Sequence, residues 1–193
     1  MITGIPGLEA YPKTIMLRDR TEAVIRPLAE ADKTALLNFF QRIPEEERYY
    51  LKENVTAPAV IQEWTSNIDY QRVFPIVALH GDEIIADATL HLRRARARQH
   101  IGEIRVVVEP GYREVGLGGR LIRELLDVAA GLGLHKVVFE LVADQEEPAI
   151  LAAGSAGFRE VAVLKEHVRD MWGNFQDLVL MELPLKERRF WWF

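Results

Sequence analysis

The chain has 193 residues, 49% of them hydrophobic and 27% charged, which is enough apolar material for one soluble globular domain with a sizeable core. Its formal net charge of −5 argues against general nucleic-acid binding and leaves only local basic patches for that use. With no cysteine, a disulfide framework, a thiolate metal site and a cysteine nucleophile are excluded.

Residues 1–8 lack a basic start followed by an apolar run, so no secretory signal is expected. No apolar run reaches the roughly 18 residues that cross a bilayer, and a cytoplasmic protein is the expectation. Residues 1–12, rich in Gly and Pro, read as an irregular arm. The β-prone runs 13–17 and 23–27 flank Arg18-Asp19-Arg20-Thr21 and suggest a hairpin. Apolar residues at Ala31, Ala35, Leu36, Phe39 and Phe40 predict a helix over 30–41, which Pro44 stops. A second helix is expected over 58–67.

The pattern then changes to strands at 73–80 and 83–92 joined by Gly81-Asp82, a hairpin, followed by a β-branched strand at 101–109. Leu117, Leu121, Leu125, Val128 and Leu132 mark an amphipathic helix over 117–132. A strand at 135–142, a short helix at 146–155 with Pro148 in its first turn, and closing strands at 158–168 and 176–183 complete the series. This order predicts a mixed α/β domain in which 101–142 is a right-handed parallel crossover.

The segment Pro110-Gly111-Tyr112-Arg113-Glu114-Val115-Gly116-Leu117-Gly118-Gly119-Arg120 places glycines 116, 118 and 119 at the mouth of a helix. Glycine weakens such a position unless bare backbone is needed, and bare N–H groups with a helix dipole behind them hold anions. A Walker loop fails because the segment has no lysine, and a dinucleotide fingerprint fails at Leu121, where it needs a third glycine. RxxGxG fits, through Arg113, Gly116 and Gly118. A turn that serves only the fold is the competing explanation.

With the strand IRVVVEP before RxxGxG, the helix RLIRELLDVAA after it, and the later Gly-Phe element in AILAAGSAGF, the chain resembles the GNAT superfamily of acyl-CoA-dependent N-acetyltransferases over roughly residues 23–183. The resemblance implies a GNAT-like mixed central sheet flanked by helices, here with an N-terminal hairpin extension. Residues 1–22 would be the arm and hairpin strand, 23–183 the acetyltransferase domain and 184–193 a tail. It implies acetyl-CoA as cosubstrate, its diphosphate on the backbone of Arg113, Glu114, Val115, Gly116, Leu117, Gly118 and Gly119, and its pantetheine arm on main-chain groups of Val106 and Val108. It implies an amine acceptor, a small molecule or a protein lysine, with Glu103 as the base. The segment LNFFQRIPEEER (37–48) is similar to bacterial protein-lysine acetyltransferases.

Strand alternation puts Glu103, Arg105 and Val107 on one face and Ile104, Val106 and Val108 on the other, so Arg105 is expected beside Glu103. Two departures stand out: Ala153 occupies the place of the tyrosine that protonates the leaving thiolate in many relatives, and Glu147 that of a pantetheine-binding asparagine. A catalytically weak acyl-CoA-binding or sensing domain is therefore the alternative function.

The arginine-rich 93–98 reads as a solvated hairpin tip or as a site for an acidic protein, nucleic acid or the CoA 3′-phosphate. The acidic run Glu45-Glu46-Glu47 is either solvated surface or an attractor for a cationic lysine. The five histidines have no metal-ligand spacing, and no metal is expected. The tail ends Phe190-Trp191-Trp192-Phe193, a cluster expected either in a two-fold dimer interface or folded onto its own sheet.

Overall fold

The computed structural model describes residues 8–185. The aromatic tail, and with it the expected dimer contact, lies outside the described residues. After a short turn at Leu8–Ala10, strands β1 (Lys13–Met16) and β2 (Glu22–Pro27) form the expected hairpin, with Lys13 opposite Ile25. Helix α1 (Lys33–Arg42) begins later than its apolar pattern suggested. The Asp32 carboxylate accepts the Ala29 N–H at 2.8 Å and both terminal nitrogens of Arg26 at 2.6 and 2.7 Å, which holds Glu30–Asp32 as a separate turn. Leu36, Phe39 and Phe40 form the buried stripe of α1.

A single helical turn, α2 (Glu45–Arg48), was not read from the sequence. Pro44 enters it with a fixed φ, and three glutamates in its first turn suit the positive end of the dipole. Helix α3 (Pro58–Ser66) follows, then β3 (Val73–His80), β4 (Glu83–Leu92) and β5 (Ile101–Val108) as an antiparallel meander. The rest is α4 (Leu117–Gly131), β6 (Lys136–Val142), α5 (Glu147–Ser155), β7 (Arg159–Arg169) and β8 (Phe175–Pro184).

All eight strands join one sheet in the order β1-β2-β3-β4-β5-β6-β8-β7. Its neighbours are antiparallel except β5 and β6, the parallel pair expected of the crossover through α4. Two apolar clusters occupy the two faces. One gathers Ile85, Ala88, Leu90 and Ile104 from the sheet against Leu121, Leu125 and Val128 of α4. The other gathers Val77, Leu79 and Ile84 against Leu36, Phe39 and Phe40 of α1 and Ile61 of α3.

β5 pairs with β4 at seven positions, Gly102 to Val108, but with β6 at only three, ending at Glu103↔Val138. β6 meanwhile pairs with β8 along its whole length, from Lys136 to Val142. The sheet therefore splits after Glu103, and the two strands diverge toward the end where the glycine turn begins.

The buried stripe of α4 is wider than predicted, because Ile122, Leu126 and Ala129 are buried beside Leu117, Leu121, Leu125 and Val128. The helix also buries a charge. Glu124 is 3% exposed and accepts hydrogen bonds from Lys13 at 2.5 Å, Tyr11 at 3.1 Å and Arg120 at 2.9 Å, which ties the N-terminal arm to α4. Burial, reinforced by Glu124, raises the Tyr11 phenol well above its ordinary range. Lys13 and Arg120 are partly exposed and rehydrate if the carboxylate is removed. Glu124→Ala should therefore cost the charge-assisted bonds alone, about 2 kcal/mol. Urea unfolding measures this, and an unchanged midpoint would show that the network does not hold the arm.

Candidate functional site

The end of β5 leads through a tight turn, Pro110–Tyr112, into the glycine segment. Glu114 and Gly116 both have positive φ, 61° and 89°, so the backbone coils tightly before α4. Gly116 is the N-cap residue, and no side chain caps the helix. The first N–H groups of a helix have no partner within it. Here, among the described residues, no backbone acceptor takes the N–H groups from Glu114 to Gly119.

Nothing in the fold demands glycine at 118 or 119. A Cβ at Gly118 would meet only Val108 Cγ2 at 3.8 Å, and one at Gly119 only Arg123 at 3.9 Å. Glycine within a helix costs roughly 0.5–1 kcal/mol relative to alanine, so this bareness serves something other than packing.

Arg113 departs from its expected place. Its N–H bonds to the Pro110 carbonyl at 3.4 Å, so the free donors start at Glu114 and not at Arg113. Its guanidinium turns away from the turn, donating to both Glu47 carboxylate oxygens at 2.9 and 2.5 Å and to the Val108 carbonyl at 3.0 Å. The acidic run of α2 is thus partly neutralised, with Glu47 locked to Arg113. Val115 contributes its carbonyl to Arg18 N–H at 3.1 Å, and Leu117 buries its side chain in the core.

Successive backbone groups of a strand point to opposite sides. Glu109 N–H bonds to Ile85 of β4, so the main-chain groups of Val106 and Val108 point the other way, into the gap toward β6. Across it, Ala143 N–H bonds to the Asp177 carbonyl of β8, so Val142 N–H also faces the gap. Two side chains cover these lips: Arg113 on the Val108 carbonyl, and Glu146, which accepts the Val142 N–H at 2.7 Å. Burial raises the Glu146 carboxyl, aided by the nearby charge of Glu47.

On the face under α1 and α3, β4 and β5 present a polar floor. Thr89 lies opposite Arg105 and His91 opposite Glu103 in the ladder. Glu103 is half-buried and accepts from Arg105 at 2.7 and 3.2 Å, from Arg93 at 3.4 Å and from Lys52 at 3.4 Å. Burial alone would raise its carboxyl, but the hydrogen bond and charge of Arg105, with Lys52, hold it below the usual carboxylate range. Burial, with the charge of Arg105, pushes His91 down to about 4, so its imidazole is neutral at pH 7. It sits 2.9 Å from the Thr89 hydroxyl.

One step further along β4, Asp87 is 8% exposed and lies between Val77 of β3 and Val107 of β5. Among the described residues none is hydrogen-bonded to its carboxyl, and burial pushes it up to about 7. Sequence reasoning reached Glu103 and Arg105, and Arg93 only as part of the arginine loop, but missed Asp87, Thr89, His91 and Lys52 as site residues. The first three carried a signal, since DATLH alternates polar residues onto one face.

The arginine loop lies at the opposite end of β5 from the glycine turn, about 23 Å away at about 3.3 Å per residue. It is therefore out of reach of a CoA 3′-phosphate anchored near that turn. Arg93 turns inward to Glu103, while Arg94, Arg96 and Arg98 are exposed. Ala153 is fully buried, Glu147 is exposed, and the Ser155 hydroxyl donates to the Leu151 carbonyl at 2.9 Å. Among the described residues no group of His, Asp and Glu could hold a metal ion, and no helix is long and apolar enough to cross a membrane.

A sequence model of the Acetyltransferase (GNAT) family matches residues 35–158. The chain belongs to the GNAT acetyltransferase family. Acetyltransferase PA5475 of Pseudomonas aeruginosa is 29% identical over 124 residues, which are 63% of this chain and 67% of that protein. Among solved structures, the ribosomal-protein-S5-alanine acetyltransferase of Vibrio fischeri superposes with a TM-score of 0.76 at 14% identity, covering 91% of this chain and 98% of that one. The acetyltransferase yncA of Salmonella typhimurium, determined with its cofactor acetyl-CoA, gives 0.72 at 20% identity, covering 84% and 94%. Both likenesses bear out the GNAT sheet flanked by helices. Family membership makes acetyl transfer from acetyl-CoA the general chemistry.

Asp87 gives this GNAT domain a pH signature of its own. An acid whose folded pKa is raised stabilises the fold while protonated in both states. That stability is lost as pH rises from the unfolded value, about 3.9, through the folded value. Asp87→Asn keeps the shape and abolishes the titration. Its unfolding midpoint should gain on the wild type between pH 4 and pH 8. A constant difference across that range would show that Asp87 does not titrate there.

Proposed function

We propose that the protein is an N-acetyltransferase that moves an acetyl group from acetyl-CoA to an amine. One observation carries the reading: the open edge of β5 runs straight into an uncapped helix N-terminus. An extended molecule along Val106 and Val108 would find strand-like main-chain partners, and its diphosphate would meet the free N–H groups of Glu114 to Gly119 and the dipole of α4. The residues present therefore fit acetyl-CoA, which supplies a thioester carbonyl open to attack by an amine.

The attacking amine must be neutral, while an alkylamine at pH 7 is mostly protonated. Glu103 stands where the gap begins, with its carboxylate ionised at neutral pH, and receives that proton directly or through a water molecule. Because Arg105 and Lys52 hold Glu103 low, it is a modest base, and its efficiency comes from position more than from proton affinity. As the C–S bond breaks, the thiolate leaves and takes up a proton from solvent, since Ala153 offers none.

That same alanine supports a second reading, an acyl-CoA sensor with little turnover. Release of CoA thiol with a panel of amines separates the two: tight acetyl-CoA binding without release on any amine would favour the sensor.

Gly118→Val tests the donor site more cleanly than a change at Gly116, where the positive φ would strain any side chain. It should weaken acetyl-CoA binding at least tenfold in calorimetry, in a protein that still folds. Unchanged affinity would remove the turn from the donor site.

Glu103→Gln should lower turnover roughly 100-fold or more at neutral pH and leave acetyl-CoA affinity nearly intact. The deficit should shrink as pH rises toward the pKa of the amine, because less acceptor then needs deprotonation. A deficit that stays constant with pH would assign Glu103 to charge neutralisation alone.

A further inference from the structure

The polar floor beside the gap is electrostatically unbalanced. Lys52, Arg93 and Arg105 all converge on the single carboxylate of Glu103. His91, opposite Glu103 in the ladder, is neutral and adds no charge. Among these groups two positive charges are left in excess, on a surface where Glu103 and the two arginines are each at most 30% exposed.

The contacts are as unequal as the charges. Arg105 makes a good hydrogen bond at 2.7 Å, whereas Arg93 and Lys52 stand off at 3.4 Å, near the outer limit for such a bond. Arg93 Nε is buried with no partner at all. A guanidinium has five N–H donors in a fixed fork that matches an oxyanion, and burying one without a partner costs free energy. Arg105 and Lys52 share one Glu103 oxygen while Arg93 reaches the other only at 3.4 Å, so the Arg93 guanidinium is loosely engaged and has donors to spare for a second anion.

We propose that this floor is a subsite for a carboxylate on the acceptor, and that the acceptor is an amine that also carries that carboxylate. This deepens the amine-acetylation reading and rests on it. Arg93, with Lys52 beside it, takes the acid group, Arg105 keeps Glu103 in place, and the amine lies against Glu103 at the start of the gap.

Two other occupants fit less well. The diphosphate end of acetyl-CoA belongs at the far end of β5, about 17 Å from Glu103 at about 3.3 Å per residue. A protein lysine would bring another cation to a floor already positive by two charges. Of the acidic run on α2, Glu47 is already held by Arg113, which leaves the exposed Glu45 and Glu46 as its only uncommitted charges.

The test is CoA release from acetyl-CoA with free amino acids, each run beside its amide and the amine left when its carboxylate is removed, and with a lysine peptide. The acids should exceed their neutral partners in kcat/KM by about 10- to 100-fold, the range for a hydrogen-bonded charge pair. The difference should lie mainly in KM. Arg93→Gln should erase most of this preference without changing the KM for acetyl-CoA, and Arg93→Lys should restore part of it. Equal or better turnover of amides, bare amines or the lysine peptide would overturn the subsite, as would a preference that survives Arg93→Gln in a folded protein.

Calorimetry of the same acid and amide pairs into the CoA-loaded protein separates the two levels. Carboxylate-dependent binding without CoA release from any amine would keep the subsite and sink the transferase reading. Carboxylate-independent binding would sink the subsite itself.

Discussion

Everything in the site depends on the sheet coming apart between β5 and β6. Backbone N–H and C=O groups inside a protein must be paired, and a strand ladder is the usual way to do it. Here the ladder ends at Glu103↔Val138, leaving main-chain groups of Val106, Val108 and Val142 facing a gap. The chain covers two of these groups with side chains, Arg113 and Glu146, instead of another strand. Side chains can be displaced, whereas a paired strand cannot without breaking the sheet. The uncapped start of α4 lies at the mouth of the same gap, so two classes of unpaired backbone donor end up adjacent.

Charge is distributed along β5 in the same logic. At the glycine turn the free donors and the helix dipole favour an anion, and an unpaired Glu47 nearby would oppose it. Arg113 neutralises Glu47 through two bonds. At the other end the imbalance runs the opposite way, with three cations on one carboxylate. Between the ends, Asp87 and Val107 mark the border where the floor turns apolar under α1. A single strand thus leads to unpaired N–H donors at one end and lies on a positive floor at the other.

The elements themselves were legible because their periods are clean: alternation in 83–92, the 3- and 4-residue spacing of Leu117, Leu121, Leu125 and Val128, and β-branched density in 101–108. The pairing of Glu103 with Arg105 followed from strand geometry alone. What escaped was tertiary. Lys52 and Arg93 reach Glu103 from segments 51 and 10 residues away, and no local pattern announces this. α2 is a single turn, too short for periodicity to show. Arg113 was expected to offer its main-chain N–H because RxxGxG marks the turn, but that N–H turns to the Pro110 carbonyl and its side chain is held by Glu47, 66 residues earlier. The split of the sheet left no trace either, since β5 and β6 both read as apolar strands able to pair throughout. Asp87 was visible as a polar residue on a strand, but its isolation between Val77 and Val107 required the sheet order.

The three-position seam has a mechanical consequence. It joins a five-stranded plate, β1 to β5, to a three-stranded plate of β6, β8 and β7. Helix α4 packs on β4 and β5 from the first plate and on α5, which follows β6 in the second. The domain is therefore two stiff plates on a short seam with a brace across one side. Resistance to shear between the plates comes from that brace and from whatever bridges the gap. A molecule that bonded to both lips would stand where the missing strand would be and would tie the two plates together.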